Sequence, residues 1–381
     1  MAKKIGIITF HASHNYGSML QAYALQQTVL GMGFDCEIIN FRTKIQTDYF
    51  KPLFMHGTIQ GKIKRCILFS PFYLNHRKKF KLFEEFLSSH YKLSDKKYTL
   101  LSELNEANLP YDVIISGSDQ IWNTYCFDFD WSYFLPFAKS ARRVAYAPSL
   151  GPTPYHSVKT GMEPQVKQLL RDYDAISVRD SLAQKELKKL IGIECPIMID
   201  PTLLLPAQSW YDMAGQTPII KGKYVFLYTP WYDKSAFNAA RTIAKELEAP
   251  VVVSQIYDKL KYNIWIVNKA FKAHIATGPI EFLNLCKFAT CVVGASFHVA
   301  VFSILFRTPF YAVNGMDDSR VAELLTMTGL ESRNWDSRKP PVTVSLDLDF
   351  KQALEHIEIA RNNCSEWLYK ELAKTFIKSS K

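Results

Sequence analysis

The stretch IGIITFHASHNYGSMLQAYALQQTVLGMGFDCEIINF, residues 5–41, decides the fold. It begins with the β-branched run Ile5–Thr9, which predicts a buried strand, and continues through a loop at His11–Gly17. Apolar residues then recur at helical spacing as far as Met32, and Cys36–Phe41 predicts a second strand. A strand, a loop, a helix and another strand at this spacing form a βαβ unit, which predicts a parallel sheet.

The same succession of elements recurs along the chain in two series. The predicted strands are Val113–Ser116, Val144–Ala147, Ala175–Val178 and Pro196–Ile199 in the first series, and Tyr224–Tyr228, Pro250–Ser254, Thr290–Gly294 and Pro309–Val313 in the second. Proline and glycine cluster between Pro201 and Lys223, which predicts the boundary. A chain of 381 residues exceeds one ordinary domain. We therefore predict two α/β domains, residues 1–205 and 206–349, followed by a C-terminal helix over about 350–381.

The composition excludes several classes of protein. With 48% hydrophobic and 22% charged residues the chain can bury a large core, which argues against disorder. The net charge of +10 favours anionic partners. The dinucleotide and Walker glycine motifs and the known nucleic-acid motifs are absent, so we predict no nucleic-acid partner. Seven cysteines without a C-x-x-C pair fit a reducing, cytoplasmic location.

Residues 61–82 alternate basic with apolar and aromatic side chains. The preferred interpretation is a solvated helix with a buried aromatic face. Peripheral contact with an anionic membrane surface is the alternative, because a basic amphipathic segment can lie on such a surface.

Unusual polar residues follow the predicted strands, and ligands of open parallel sheets bind beyond the carboxyl ends of the strands. In the first loop Asn15, Gly17 and Ser18 precede or open a helix, whose N-terminus suits a phosphate or carboxylate. A simple capping loop is the alternative. His11 and His14 have no third ligand in view, so we predict no metal.

The turn after the strand Val113–Ser116 brings a hydroxyl and a carboxylate, those of Ser118 and Asp119, to the same edge. We expect Asp119 to act as a general base or to orient a sugar hydroxyl. Trp122 and Asn123 beside it offer an aromatic face and an amide for a sugar. The alternative is a cap of the following segment. Asp128-Phe129-Asp130 matches a metal-binding D-x-D pattern, but its aromatic neighbours favour packing.

Three more strand ends carry candidate residues. Arg179 is placed to bind phosphate or carboxylate oxygens, with an ion pair to Asp180 or Asp200 as the alternative. Ser296 predicts a helix N-cap, which puts His298 in the first turn, facing the ligand. Arg320 supplies a further cation after the next strand.

Together these segments resemble the polysaccharide pyruvyl transferase family. The matching stretches are GIITFHASHNYGSMLQAYALQ at 6–26, YDVIISGSDQIWN at 111–123, ISVRD at 176–180, DPTLL at 200–204 and SFHVAVFSILFRTPF at 296–310. The resemblance implies a fold like that of GT-B glycosyltransferases, with two Rossmann-like domains facing across a cleft and a C-terminal helix that returns to the first.

The resemblance also implies a reaction. Pyruvate moves from phosphoenolpyruvate, a co-substrate and not a cofactor, onto two sugar hydroxyls as a cyclic ketal, and phosphate is released. The acceptor is a lipid-linked or nucleotide-linked precursor of a bacterial surface polysaccharide. The family's key arginine and histidine fall on Arg179 and His298, whereas its further lysine has no match and Arg320 is the nearest cation.

Two other functions are compatible with the same sequence features. One is a nucleotide-sugar glycosyltransferase of the same architecture, and the other is a catalytically silent scaffold of a polysaccharide assembly complex. The sequence likewise leaves open whether the chain forms a homo-oligomer.

Overall fold

The computed structural model describes residues 4–52, 58–151, 158–257, 260–263, 268–340 and 343–377. Residues 378–381, the end of the predicted C-terminal segment, lie outside this set. The helices, in chain order, are α1 (Tyr16–Gly31), α2 (Lys44–Phe50), α3 (Ile59–Phe69), α4 (Tyr73–His90), α5 (Leu101–Glu106), α6 (Glu163–Arg171), α7 (Ser181–Ile191), α8 (Ala207–Ala214), α9 (Lys234–Glu246), α10 (Pro279–Phe288), α11 (Phe297–Leu305), α12 (Ser319–Thr328) and α13 (Lys351–Ile377).

Two compact units make up the chain. The first comprises Met1–Asp48, Leu87–Leu205 and Glu358–Lys381, and the second comprises Tyr49–Phe86 and Pro206–Ile357. Residues 49–86 thus group with the second unit, whereas the sequence places them in the N-terminal domain. One reason is that the Lys79 ammonium group on α4 donates hydrogen bonds to the Ser254 carbonyl (3.2 Å) and to Gln255 Oε1 (2.8 Å).

The first unit is built on a five-stranded sheet in the order β2-β1-β3-β4-β5, and every neighbouring pair is parallel. Its strands are β1 (Lys4–Ile8), β2 (Asp35–Ile38), β3 (Val113–Ser116), β4 (Arg142–Ala145) and β5 (Ala175–Ile176). Helix α1 is buried on nearly all sides, because it crosses between β1 and β2 inside the unit. The strand predicted at Pro196–Ile199 is wrong. Pro196 has no N–H to donate, and of this segment only Ile197 forms an isolated bridge, to Val178.

The second unit contains a six-stranded parallel sheet in the order β11-β10-β9-β6-β7-β8. Its strands are β6 (Val225–Tyr228), β7 (Val251–Val253), β8 (Phe271–Ala273), β9 (Cys291–Gly294), β10 (Phe310–Val313) and β11 (Asn334–Trp335). The predicted α/β class, with two Rossmann-like parallel sheets, is confirmed. Strands β8 and β11 were not predicted, because neither contains an apolar run: only Phe271 is buried in β8 and only Trp335 in β11.

All seven cysteines are free thiols. Among the described helices, none combines the length and the apolar character that a bilayer crossing requires.

Gly294 ends β9 at a point where backbones crowd together. A Cβ atom there would lie 2.6 Å from the Tyr228 carbonyl oxygen of β6 and 2.6 Å from Val299 Cγ1. Replacing Gly294 with alanine must therefore displace backbone, and we expect a loss of about 1–3 kcal/mol in unfolding free energy. The measurement is urea unfolding followed by circular dichroism.

The matched control is Gly31→Ala at the end of α1. No atom lies within 4 Å of its added Cβ, so stability should hold or rise by up to about 1 kcal/mol. Equal effects of the two substitutions would contradict the close approach at Gly294.

Candidate functional site

The carboxyl edge of the first sheet gathers most of the predicted site residues. In the order β2-β1-β3-β4-β5 the direction of chain progression reverses between β1 and β3. Such a reversal opens a crevice beyond the strand ends, where doubly wound proteins bind their ligands. The loops that follow β1 and β3 carry Asn15, Ser18 and Asp119 to this point.

Asn15 is the N-cap of α1. Its side-chain oxygen accepts hydrogen bonds from the Gly17 N–H (3.0 Å) and the Ser18 N–H (3.3 Å), which satisfies two of the donors at the helix start. The predicted alternative of a capping loop is therefore realised. The Ser18 hydroxyl is not part of this cap, because its Oγ donates to Asp119 Oδ2 at 2.5 Å.

Asp119 is held in a backbone conformation that side chains rarely adopt, with φ of +73°. Its second carboxylate oxygen accepts the Gln120 N–H at 2.8 Å, and its carbonyl oxygen accepts the Ser149 N–H at 2.8 Å. Aspartate tolerates this left-handed region better than most residues. The turn therefore holds the carboxylate against the start of α1.

The network continues across β4 and β5. Ser149 Oγ donates to Asp180 Oδ2 at 2.9 Å, and the Arg179 N–H donates to the Pro148 carbonyl at 3.2 Å. Asp180 also caps α7 by accepting the Ala183 N–H at 2.8 Å. Four neighbouring strand ends are thereby linked by hydrogen bonds.

Arg179 forms an ion pair with Asp200. Arg179 Nη1 lies 2.8 Å from Asp200 Oδ2, and the two side chains are 2% and 0% exposed. Of the two partners left open by the sequence, the structure thus selects Asp200. The other oxygen of Asp200 accepts from the Thr202 N–H and hydroxyl at 3.0 and 2.7 Å.

In the second sheet the chain direction reverses between β6 and β9. Ser296 is the N-cap residue of α11, as predicted, although its hydroxyl makes no capping hydrogen bond. His298 follows in the first turn and is half-buried beside Phe297, with ring centroids 5.2 Å apart. The residue thus lies at the helix N-terminus that follows the reversal, where an anion is favoured.

Arg320 is bound by its own helix cap. Its Nε lies 2.9 Å and its Nη2 2.5 Å from the two oxygens of Asp318, which also accepts the Arg320 N–H at 3.0 Å. This bidentate pair neutralises the cation that the sequence places at the rim. A ligand anion at this position would have to share Arg320 with Asp318.

The sequence model that describes polysaccharide pyruvyl transferases matches residues 15–316. The chain belongs to the polysaccharide pyruvyl transferase family. It is therefore a transferase of polysaccharide biosynthesis, and its family implies a sugar acceptor. The match includes Asn15, Asp119, Arg179 and His298, whereas Arg320 lies beyond its end.

Solved structures show the same fold in other enzymes. UDP-GlcNAc 2-epimerase from Neisseria meningitidis, bound to UDP-GlcNAc, is similar with a TM-score of 0.53 and 10% identity, over 98% of this chain and 100% of that one. The UDP-GlcNAc 2-epimerase from Methanocaldococcus jannaschii gives a TM-score of 0.52 and 13% identity, over 95% and 93% of the two chains. At these identities the likeness shows the fold alone, which is of the GT-B type. None of the curated proteins shows significant sequence similarity.

Three predicted site residues of this family member are structural. Trp122 is fully buried, stacks on Phe134 with centroids 5.3 Å apart, and donates to the Tyr133 carbonyl. The prediction that it offers an aromatic face to a sugar is wrong, because both the ring and its N–H are used in the core. Ser118 is also fully buried and donates to the Ala147 carbonyl at 2.9 Å.

Asn123 has both ends of its amide engaged within the loop. Its nitrogen donates to Gln120 Oε1 at 3.0 Å, and its oxygen accepts the Tyr125 N–H at 3.0 Å. The residue therefore shapes the loop that follows Asp119, and the predicted sugar amide is already committed to protein partners.

Two further candidate functional residues, Trp231 and Asp128, were not among the site residues predicted from the sequence. Trp231 follows β6 beside the reversal point of the second sheet and is 69% exposed. The available signal was a tryptophan three residues after the end of the buried run Tyr224–Tyr228. Asp128, interpreted from the sequence as part of a packing segment, is a buried carboxylate that accepts from Gln46 at 3.3 Å. Its neighbour Asp130 does have a structural role, because it caps the turn at Ser132.

Within the ranges that the structure describes, no group of three or more His, Cys, Asp or Glu side chains is placed to hold a metal ion. His11 is fully buried, with Nδ1 3.2 Å from the Thr9 carbonyl oxygen.

The burial of the Arg179–Asp200 pair leads to a prediction about stability. Arg179→Ala removes the cation from a carboxylate that water cannot reach, so we expect a loss of about 3–5 kcal/mol in unfolding free energy. The comparison is Arg338→Ala, which removes an exposed partner of Asp336 and should cost less than about 1 kcal/mol. The measurement is chemical denaturation of both variants. A loss of unfolding free energy for Arg179→Ala as small as that for Arg338→Ala would contradict the prediction.

Proposed function

We propose that the protein transfers pyruvate from phosphoenolpyruvate onto two hydroxyls of a sugar, forms a cyclic ketal and releases phosphate. The family match supports this reaction class. The observation that carries it is the hydrogen-bonded network Ser18–Asp119–Ser149–Asp180. This network places a carboxylate and a helix N-terminus at the reversal point of the first sheet.

The donor that we propose has two anionic groups, a phosphate and a carboxylate. The N-terminus of α11, whose N-cap residue Ser296 makes no side-chain capping hydrogen bond, presents N–H groups and the positive end of a helix dipole, which suit such groups. At the start of α1 the N–H groups of Gly17 and Ser18 are already bound by Asn15, so this helix contributes only its dipole. Of the cations predicted from the sequence, Arg179 and Arg320 are already paired with Asp200 and Asp318. We therefore assign the larger share of phosphate recognition to His298 and the N-terminus of its own helix, α11.

The chemistry balances as follows. The double bond of phosphoenolpyruvate takes one proton at its methylene carbon, which becomes a methyl group, and the neighbouring carbon becomes oxocarbenium-like. One sugar oxygen attacks that carbon, the bond to the phosphate oxygen breaks, and the second sugar oxygen closes the ketal. Both hydroxyls lose a proton, and of these two protons one balances the new methyl group and the other leaves on phosphate.

In this scheme Asp119 accepts a proton from an acceptor hydroxyl, and His298 stabilises or protonates the departing phosphate. Asp119 is suited because its carboxylate is held by Ser18 and by the Gln120 N–H. General acid or base catalysis by a positioned side chain contributes about 10²–10⁴-fold to a rate.

The decisive assay is incubation with phosphoenolpyruvate and candidate sugar acceptors, read by phosphate release and by the mass gain of the sugar. We expect His298→Ala to lower kcat by about 10²–10⁴-fold without a change in melting temperature. The control is His356→Ala on α13, whose side chain contacts the Met327 carbonyl and which should retain activity. Turnover at the wild-type rate in His298→Ala would refute the assignment.

Thermal stabilisation by ligands and phosphate release, both measured on the wild type, distinguish the two other functions. A nucleotide-sugar glycosyltransferase would be stabilised thermally by a nucleoside diphosphate and not by phosphoenolpyruvate. A silent scaffold would release no phosphate with any acceptor.

We also propose that the acceptor is lipid-linked and that the enzyme meets it at the cytoplasmic face of an anionic membrane. Residues 49–83 contain no Asp or Glu. Their basic residues are Lys51, Lys62, Lys64, Arg65, Arg77, Lys78, Lys79 and Lys81. Such a charge distribution is attracted to anionic headgroups.

The exposed apolar side chains of this segment support the same proposal. Ile59, Ile63 and Ile67 recur every fourth residue on α3 and are 76%, 56% and 69% exposed, and Leu74 on α4 is 75% exposed. Side chains at this spacing lie on one face of a helix. The sequence favoured a solvated helix with a buried aromatic face. Phe72, Tyr73 and Phe80 are indeed half-buried, but the four aliphatic side chains named above face solvent.

We expect the protein to sediment with vesicles that contain phosphatidylglycerol and to stay in solution with pure phosphatidylcholine. Added salt should weaken binding, because the Debye length falls from about 10 Å at 0.1 M to about 3 Å at 1 M. Ile63→Ser/Ile67→Ser should weaken binding about tenfold or more, since burial of each isoleucine contributes about 1.5–3 kcal/mol. The matched control is Ile193→Ser/Ile359→Ser. Ile193 lies in the loop after α7 and is 52% exposed, and Ile359 lies on α13 and is 61% exposed. Equal loss in both double variants would argue against the proposed surface.

A further inference from the structure

Asp128 and Gln46 form a buried polar pair beside the candidate site of the first unit. Gln46 Nε2, on α2, lies 3.3 Å from Asp128 Oδ2 and 3.4 Å from Ser13 Oγ, in the loop after β1. The three side chains are between 1% and 6% exposed. Ser13 lies in the same loop as Asn15, Asp128 lies in the same connection between β3 and β4 as Asp119, and the charge of Asp119 acts on Asp128.

Two further polar atoms here are buried without a bond. Among the described residues, neither Gln46 Oε1 nor Tyr133 Oη has a hydrogen-bond partner. Tyr133 is fully buried between Phe10 and Phe41, and the charge of Asp128 acts on its hydroxyl group. Buried polar groups in folded proteins are nearly always bonded to protein, water or ligand. The amide oxygen of Gln46, whose nitrogen contacts the Asp128 carboxylate, therefore marks a place where a ligand hydroxyl supplies the missing bond.

The proposed reaction needs proton acceptance at two places. A cyclic ketal has two new C–O bonds, and each of the two acceptor hydroxyls must lose its proton. One carboxylate, Asp119, is already bonded to Ser18 and to the Gln120 N–H. A second carboxylate in the same group of loops would serve the second hydroxyl.

We infer that Asp128 is a second catalytic residue, which accepts the proton of the second acceptor hydroxyl while Gln46 positions its carboxylate. This inference rests on the proposed ketal-forming function. The ligand class is a pyranose with two neighbouring hydroxyls. In the step, the sugar O–H bond breaks, its electron pair forms the second C–O bond of the ketal, and the proton goes to Asp128 Oδ. The proton then leaves to the phosphate that departs from the donor.

The ionisation of Asp128 supports the geometry. Burial raises the pKa of Asp128 to about 6, and the negative charge of Asp119 acts in the same direction. The group is then mostly ionised at pH 7 and mostly protonated at pH 5. A base of this kind gives a rate that rises with pH through about 6.

The direction in which Asp128→Asn changes folding stability distinguishes a catalytic role of Asp128 from a role in folding. A carboxyl group whose pKa is higher in the folded state favours folding when protonated. Its contribution is lost as pH rises from the unfolded value near 3.9 to about 6. Asp128→Asn removes this dependence and keeps the shape of the side chain. The variant should therefore be at least as stable as the wild type at pH 7.

The experiment measures kcat/KM for phosphate release between pH 5 and pH 8, with phosphoenolpyruvate and a panel of methyl glycosides of glucose, galactose and mannose. We expect Asp128→Asn to lower the rate at pH 7 by about 10²–10⁴-fold and to abolish the rise near pH 6. Gln46→Leu should shift that rise and lower the rate less. The matched control is Asp130→Asn, which should keep both the rate and the profile, because Asp130 caps Ser132.

A second readout separates this inference from the proposed function. Binding of the same glycosides is followed by saturation-transfer NMR without donor, and we expect Asp128→Asn to weaken it about tenfold. If the wild type binds a glycoside in this way but releases no phosphate, the ketal-forming function fails while the sugar-hydroxyl site stands. If the wild type is active and Asp128→Asn keeps its rate and its rise near pH 6, the inference is overturned and the function stands. Absence of glycoside binding in the wild type, or binding unchanged in Asp128→Asn, also overturns the inference.

Discussion

The hydrogen bond from Ser18 to Asp119 joins the first helix to the turn after β3, and most of the candidate site depends on it. On one side, Asn15 caps the same helix, so the start of α1 is fixed relative to β1. On the other side, Asp119 lies in a left-handed turn and its carbonyl oxygen accepts the Ser149 N–H. The Ser149 hydroxyl in turn donates to Asp180. Loops that are otherwise free to vary are thereby held together at the edge of a parallel sheet. A rigid edge of this kind can position reacting groups without a rearrangement.

Electrostatic compensation is the second constraint. Both arginines that the sequence offered as donor ligands are paired with a carboxylate, Arg179 with Asp200 in the interior and Arg320 with Asp318 at a helix cap. A buried cation needs such a partner, since desolvation of an unpaired charge is costly. The positive potential available to a ligand therefore comes largely from helix N-termini and from the overall basic charge of the chain. We therefore expect Arg179 to stabilise the fold whatever its part in catalysis.

Much of the fold could be predicted from the sequence because buried parallel strands are short apolar runs with polar residues directly behind them. Val113–Ser116 agrees residue for residue with β3, and the C-terminal helix begins within one residue of its predicted start at Phe350. The failures have physical reasons. Pro196 begins a run of similar appearance but has no N–H for a ladder hydrogen bond, and in that run only Ile197 forms an isolated bridge. Trp122 was assigned to the site because aromatic residues suit both sugars and cores, and only tertiary packing on Phe134 distinguishes the two. Asp128 was missed because its partner Gln46 is distant in sequence and belongs to another element.

The Arg179–Asp200 pair has a consequence for how this sequence can change over time. Neither residue can be lost alone without leaving the other charge buried. Substitutions at the two positions should therefore be inherited together, as a charged pair or as two neutral residues. In a collection of related chains, positions 179 and 200 are expected to covary more strongly than exposed pairs such as Arg338 and Asp336, whose members can drift independently. Positions 179 and 200 are thus expected to change as a unit during the evolution of this fold.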